Sequence, residues 1–477
     1  MPVECGGAVG ASASATGGEA ENFSWRRVYT VGMQDATLIP GMDGSACTTP
    51  AGAERQSSDA QAPRLRRPDR AQAVLEPVCL DEKLSPDHQA RTIWRVVDRL
   101  DLSAFYDEIA ARGSEPGRAS TDPRLLVALW LYATVDGVGN GRKLDRLCRE
   151  HDAYKWLCGG VSLNYHTLND FRVAHEKALD ELFTEVLTAL TERGVVAVDR
   201  ISQDGKRVRA SAGSSSFHRE KTLRRRLQEV RAYVEELKRE PDAAPGESAR
   251  KRAAQARAAR EKEERLTQAL ELLPQLQAVR ENPKNSKKDR VKPVRVSRTD
   301  PQARKMKMAD GGIRPAYNLQ LAADPTSGAI VGVDVVNSPA DSQQSGPLRE
   351  QVERRTGCKV KEHLMDEGYV AMNQIDAAER SGVAIYAPLP KGKDGQPVTA
   401  SRWDTPGTRA WRKRMQTRKA KETYNQRAPT SERPNAEFQE RLGLRSFVVR
   451  GLSRVRCVAL WTALAYNVIH FADSLVT

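Results

Sequence analysis

The sequence is poor in the features that mark membrane and secreted chains. Aromatics make up 5% of its 477 residues. No apolar run reaches the roughly 18 residues that a membrane span needs. The longest candidate, residues 457–471, is broken by Thr462, Asn467 and His470 and reads as a buried helix. The N-terminus shows no basic segment followed by an apolar core, so no secretory signal is visible. Cysteines number seven, an odd count with no CxxC pair, which argues against a disulfide framework and for a reducing cytosol. Cys148, His151, Cys158 and His166 have a spacing that fits no ordinary zinc module, and Cys148 and Cys158, beside apolar helix positions, read as core cysteines instead. Membrane, secreted and collagen-like classes are thereby excluded, and no function is yet named.

What the chain does have is positive charge. Lys and Arg total 76 against 62 Asp and Glu, a net +14 with a pI near 9.5, which favours a polyanionic partner such as nucleic acid. Residues 282–310 hold ten Lys/Arg and three Asp, and residues 402–427 hold nine Lys/Arg against Asp404 and Glu422. Each segment is +7, so the two account for the whole excess.

Periodicity divides the rest. Residues 1–65 are rich in Gly, Ala, Ser and Thr and read as a disordered or low-complexity extension. Residues 66–192 read as an all-helical domain. Ser85-Pro86 opens one helix, Asp122-Pro123 a second, Leu144 and Leu147 mark a third, and Thr167 with Asp170 resembles a capping box. Near Gly194 the period changes, and Val195–Ile201 predicts a strand that ends at Gln203-Asp204-Gly205. Heptad seams at Leu223–Leu237 and Leu266–Val279 predict an antiparallel helical hairpin, residues 216–281, inserted after that strand. Residues 282–310 read as a basic loop. A strand hairpin follows at 317–323 and 329–336, then a helix from Asp341, a strand ending at Asp366, a helix, a strand at 384–388, a helix from Ser431 and an apolar C-terminal helix. This is the order of an α/β protein with a mixed sheet, and residues 193–471 form its second domain.

Two aspartates stand at predicted strand ends with glycine close behind, Asp204 with Gly205 and Asp366 with Gly368. Strand ends are where α/β sheets place functional groups. Glu432, placed in the first turn of the helix predicted from Ser431, is a third acid. Three carboxylates on a basic chain suit phosphodiester chemistry, in which two divalent cations activate one oxygen and neutralise another. The bland alternative is that Asp-Gly pairs are turns. Asp199, Asp334 and Asp341 are weaker rivals for the aspartates, with Asp341 suited to a helix N-cap. Glu437 and Glu440 are rivals for Glu432.

At these residues the chain resembles the DDE transposases of bacterial insertion sequences, over roughly residues 66–471. The matching stretches include Ala71–Leu75, Pro77 and Cys79-Leu80-Asp81; Pro123–Leu126 through Tyr132; Arg142-Lys143-Leu144; His166–Arg172; Asp204-Gly205-Lys206; Thr299-Asp300-Pro301; Tyr317–Gln320; Asp366–Tyr369; and Tyr424, Arg427, Glu432, Asn435, Ala436, Gly443 and Arg450-Gly451. The resemblance implies an RNase H-like catalytic core in which Asp204, Asp366 and Glu432 bind two Mg²⁺ or Mn²⁺ ions. It implies cleavage of double-stranded DNA at the inverted repeats of the chain's own element and transfer of the 3′-hydroxyl to target DNA. It also implies a homodimer on DNA and a place in the bacterial cytoplasm at the nucleoid, with no membrane. Tyr424, Arg427, Asn435 and Gln439 would contact DNA near the scissile phosphate. Arg142, Lys143 and Arg172 would do so from the helical domain, either as part of a helix-turn-helix or as a solvated basic face of a packing domain. Gln439 stands where relatives commonly carry lysine, and the gap from Arg427 to Glu432 is one residue longer than in some of them. A nuclease of the same fold without strand transfer, or a non-catalytic DNA-binding regulator, are the alternative readings.

Overall fold

The computed structural model describes residues 79–109, 120–239, 247–282 and 290–476, all within one compact unit, Glu76–Thr477. The extension at 1–65 and the stretch Ala71–Pro77 lie outside the described residues.

Seven helices come first: α1 Gln89–Arg99, α2 Ser103–Asp107, α3 Pro123–Val135, α4 Gly141–Glu150, α5 Asp152–Cys158, α6 Tyr165–Ala174 and α7 Glu176–Glu192. α3 starts where the sequence predicts, with the Asp122 carboxylate accepting from the Arg124 N–H at 2.8 Å. Two other starts differ. α1 begins after His88, whose Nδ1 accepts from Ala90 N–H, because Ser85 is spent on a turn with His88. α6 begins after Asn164, which accepts from the N–H groups of His166 and Thr167. That cap outcompetes Thr167, which is left inside the helix.

The second layer is a mixed six-stranded sheet in the order β4-β5-β1-β7-β8, with β6 also on β5. Its strands are β1 Arg200–Arg209, β4 Arg304–Lys307, β5 Ile313–Ala323, β6 Ile330–Val336, β7 Glu362–Leu364 and β8 Ala384–Tyr386. β2 Phe217–His218 and β3 Val296–Ser297 form a separate pair at the root of the arm. β1 runs antiparallel to β5 and parallel to β7, and β7 runs parallel to β8. This is the RNase H-like, mixed-sheet α/β class that the sequence predicts. Two details correct that prediction. β1 starts at Arg200 and extends to Arg209, because β5 pairs with it from Ser202 to Arg209; Asp204 therefore lies mid-strand. The basic loop at 282–310 contains β3 and β4, so part of it is built into sheets.

The arm is a hairpin of α8 Glu220–Arg239 and α9 Glu247–Glu281. Leu223, Leu227, Val230 and Val234 bury against Ala259, Leu266, Ala269 and Leu273 in a core of their own. After β6 come α10 Ser345–Thr356, α11 Met372–Arg380, α12 Pro406–Met415, α13 Arg418–Asn425, α14 Arg427–Glu440 and α15 Leu452–Val476. α15 is long and apolar enough to cross a membrane by composition. Here, however, it packs on α1, α3, α6, α7 and β6. Its buried Asn467 donates to Ile330 O at 2.8 Å and accepts from Ile330 N–H at 2.9 Å. Trp461 Nε1 donates to Arg172 O at 3.0 Å. One helix thus ties the helical layer to the sheet.

Candidate active site

The site forms on both faces of β1. Strand alternation puts Ser202, Asp204 and Lys206 on one face, and α14 lies along it. Two strand residues advance about 6.6 Å and four helical residues about 6 Å, so α14 positions four apart can follow strand positions two apart. Ser202 and Ser431 share a hydroxyl–hydroxyl bond at 2.9 Å. Asn435 Nδ2 donates to Asp204 Oδ2 at 2.7 Å, and Lys206 Nζ donates to Asn435 O at 2.7 Å. Arg427 Nη1 stands 3.6 Å from Asp204 Oδ1.

This arrangement corrects the predicted start of the last catalytic helix. α14 begins at Arg427, four residues before Ser431, and Pro434 sits inside it. The Ser431 hydroxyl faces Ser202 and does not cap the helix. Glu432 is therefore one turn into α14, and it is exposed.

On the opposite face, Gly205 lies under a polar network. Asp341 Oδ1 accepts from Asn318 Nδ2 at 2.6 Å and Gln320 Nε2 at 3.0 Å. Asp341 Oδ2 accepts from Arg207 at 2.6 Å. Tyr369 OH and Gln203 Nε2 both donate to Gln320 Oε1, at 2.5 and 2.9 Å. α10 starts at Ser345, so Asp341 is not its N-cap; Arg207, Asn318 and Gln320 draw it to the sheet. Asp366 follows β7, and its carboxylate accepts from Gly368 N–H at 2.9 Å. Asp341 Oδ2 and Asp366 Oδ1 both approach the open side of Gly368.

Three carboxylates, of Asp204, Asp341 and Asp366, therefore share this locality. Burial raises the Asp204 carboxyl above its ordinary range, Arg427 pulls it down, and the charges of Asp366 and Asp341 push it up again. Burial likewise lowers the Lys206 ammonium and raises the Tyr369 phenol. Glu432 makes no contact with Asp204 or Asp366, and among the described residues no group of three or more His, Cys, Asp or Glu is arranged to hold a metal ion. The α14 residues that do reach Asp204 are Arg427 and Asn435. Asn435 Oδ1 is buried without a hydrogen-bond partner, an oxygen left over beside a carboxylate.

The rival acids have other partners. Asp334 pairs with Arg456 at 2.9 Å, Asp199 with Lys361 at 3.0 Å, and Glu437 with His470 at 2.7 Å; Glu440 is exposed. Tyr424 is partly buried against the core, and Gln439 is half-buried, its carbonyl accepting from Arg445. Arg142 and Lys143 are exposed on α4. Arg172 is corrected: it is 6% exposed, its guanidinium lies over Trp130 and it donates to Gly139 O. A cation used this way packs against the core. The sequence reading assigned no site role to Asn318, Gln320 or Arg207. The signal was present, since two amides at alternate positions of an otherwise apolar strand mark a buried polar network.

A family model described as a transposase domain matches residues 78–174, and one described as a transposase DDE domain matches residues 291–468. No curated protein and no solved structure matches the chain. The DDE match begins after the arm, so β1 and Asp204 lie outside it, while Asp341, Asp366 and α14 lie inside. The first match covers the helical layer from before α1 to the end of α6, the second nearly all of the sheet and α15. With both in order on one chain, and with paired aspartates at the centre of a mixed sheet, the chain belongs to the DDE-type transposases.

Proposed function

We propose that this transposase cuts double-stranded DNA at the ends of its own element and joins the freed 3′-hydroxyl to target DNA, using Asp204, Asp366 and Glu432 with two divalent cations, Mg²⁺ or Mn²⁺. The observation that carries this reading is that Asp204, on β1, and Asp366, just after the adjacent β7, are close enough for one charge to perturb the other. Hard carboxylate oxygens suit such cations, and the orphaned Asn435 oxygen beside Asp204 fits a site that takes up a cation. When bound, the cations activate the attacking oxygen and neutralise the leaving one. The chain's own residues do the remaining work. Arg427 and Lys206 place positive charge beside Asp204 for a phosphate, and Gly205 leaves room for Asp341, Gln320 and Tyr369 to close on the other face of β1. Glu432 lies three residues before Asn435, so the two are neighbours on the surface of α14, which supports it as the third acid.

In this reading residues 66–192 are a DNA-binding domain and residues 193–471 the catalytic one. The protein works as a homodimer on DNA in the bacterial cytoplasm.

The test is cleavage of a plasmid carrying the coding region with its native flanks, in Mg²⁺. Asp204→Asn and Asp366→Asn each lose cutting by about a hundredfold or more and keep DNA affinity within about twofold. Retained cutting by either variant sinks the scheme. Glu432→Gln and Asp341→Asn decide the third acid: loss in the second with activity kept in the first would assign it to Asp341. Cut ends without joined products would make the chain a nuclease.

A further inference from the structure

Charge is segregated along α9. From Lys251 to Arg260 the helix carries four cations and no acid; from Glu261 to Glu271 it carries four acids against Lys262 and Arg265. At 100° per residue, Glu261, Glu264 and Glu271 fall on one stripe, opposite the buried Leu266, Ala269 and Leu273. All three acids are exposed. They form one wall of a cleft of about 1170 Å³ whose other wall carries Arg142, Arg450 and Arg454, also exposed.

Glu261 pairs with Arg265 and Glu263 with Arg231, both within the arm. Arg142 lies over the Tyr165 ring, and Arg450 donates to Ser211 O. Among the described residues no ion pair crosses the cleft. The stripe from Glu261 to Glu271 spans about 15 Å, the rise of about four nucleotides of one DNA strand.

We propose that Arg142, Arg450 and Arg454 are a phosphate-contact surface for duplex DNA, and that the acid stripe of α9 is its intramolecular counter-wall, weakening the hold on DNA of arbitrary sequence. This rests on the DNA-handling reading above. Exposed charges roughly a Debye length apart (about 10 Å at 0.1 M salt) interact weakly one by one but add over three against three. The arm therefore sets a threshold that only DNA with further contacts, such as an element end, overcomes.

The experiment measures binding of the full-length protein to a labelled 30-base-pair duplex of arbitrary sequence by fluorescence anisotropy, from about 50 to 200 mM salt. Glu261→Gln/Glu264→Gln/Glu271→Gln tightens binding about fivefold at about 0.1 M salt and steepens the salt dependence. Neutralising Glu220, Glu229 and Glu235 on α8, which changes net charge equally but lies outside the cleft, does not. In an Arg142→Ala/Arg454→Ala background the gain from the α9 triple variant disappears. The inference is overturned if the triple variant binds like the wild type, if the α8 control gains as much, or if the gain survives loss of the arginines. Wild-type binding in the same titration separates the two levels: its absence removes the DNA reading itself, while its presence with no response to α9 removes only this inference.

Discussion

Gly205 and Gly213, eight residues apart in the chain, should respond to alanine with opposite signs. At Gly205 an added Cβ would stand 2.7 Å from Asp341 Oδ1, 2.8 Å from Gln320 Nε2 and 2.8 Å from Tyr369 OH. Ordinary contact begins near 3.4 Å, so three atoms must each retreat by about 0.6 Å. None is the free end of a flexible chain. Asp341 is held by Arg207, Asn318 and Gln320, and Tyr369 by Gln320. Overpacking of this kind costs about 1–3 kcal/mol, and one hydrogen bond lost from the network adds about 1 kcal/mol. Gly205→Ala should therefore destabilise by about 2–4 kcal/mol and disturb Asp204 next to it. At Gly213 the nearest atom to an added Cβ is Ser215 Oγ at 3.6 Å, and φ is −88°, which alanine accepts. Gly213→Ala should be neutral or stabilise by about 0.4–1 kcal/mol through the unfolded chain. Urea midpoints at unchanged slope measure both. A Gly205→Ala midpoint equal to that of the wild type would refute the packing of the network against β1.

Two further outcomes follow from ion pairs. Asp404 and Arg412 are each 5% exposed and 2.9 Å apart; Asp404→Ala should cost about 3 kcal/mol by stranding the guanidinium, and Asp404→Ala/Arg412→Met should recover part of that loss in a denaturation cycle. Burial raises the Glu437 carboxyl, but the bonds from His470 and Arg433 more than offset it and hold it below its ordinary range. The α14–α15 clasp therefore stabilises above the unfolded carboxyl's pKa and is lost as pH falls through the depressed value. Glu437→Gln should lower stability by no more than about 1 kcal/mol at pH 7 and by nothing once the carboxyl is protonated; an equal loss at both ends of a pH series of unfolding midpoints would count against the clasp.

The fold was legible where pattern and punctuation agree. The heptad spacing of Leu223, Leu227, Val230 and Val234 gave the arm, and Asp324–Gly328 the β5–β6 turn, because both signals are local. Boundaries set by distant partners were not legible. Nothing near Asp204 in the chain announces that β5, more than a hundred residues on, zips β1 to Arg209. Nothing near Asp341 tells that Arg207, also far away in sequence, outbids the helix N-terminus for its carboxylate. The two +7 segments also proved less uniform than their sequence. Arg412 and Arg414 are consumed by Asp404 and Glu379, whereas Arg418, Lys419 and Lys421 remain exposed on α13.

The spacing between Arg427 and the acid acquires a physical meaning on α14. Positions 427, 431 and 435 form the stripe that follows β1, and two of the three reach Asp204. With the shorter gap seen in some relatives, the acid would fall at 431, which here is a buried serine facing Ser202. One added residue moves it 100° around the helix, to Glu432 on the solvent flank, and leaves Asn435 to occupy the Asp204 carboxylate. A longer gap therefore does more than displace a residue along the chain. It exchanges a carboxylate facing the strand for a neutral amide that already holds Asp204, while Asp341, fixed on the other side by three donors, stands with Asp366 beside Gly368. Whichever acid completes the set, the choice is governed by the helical phase of α14 against β1, and a family signature written as residue types without that phase does not determine it.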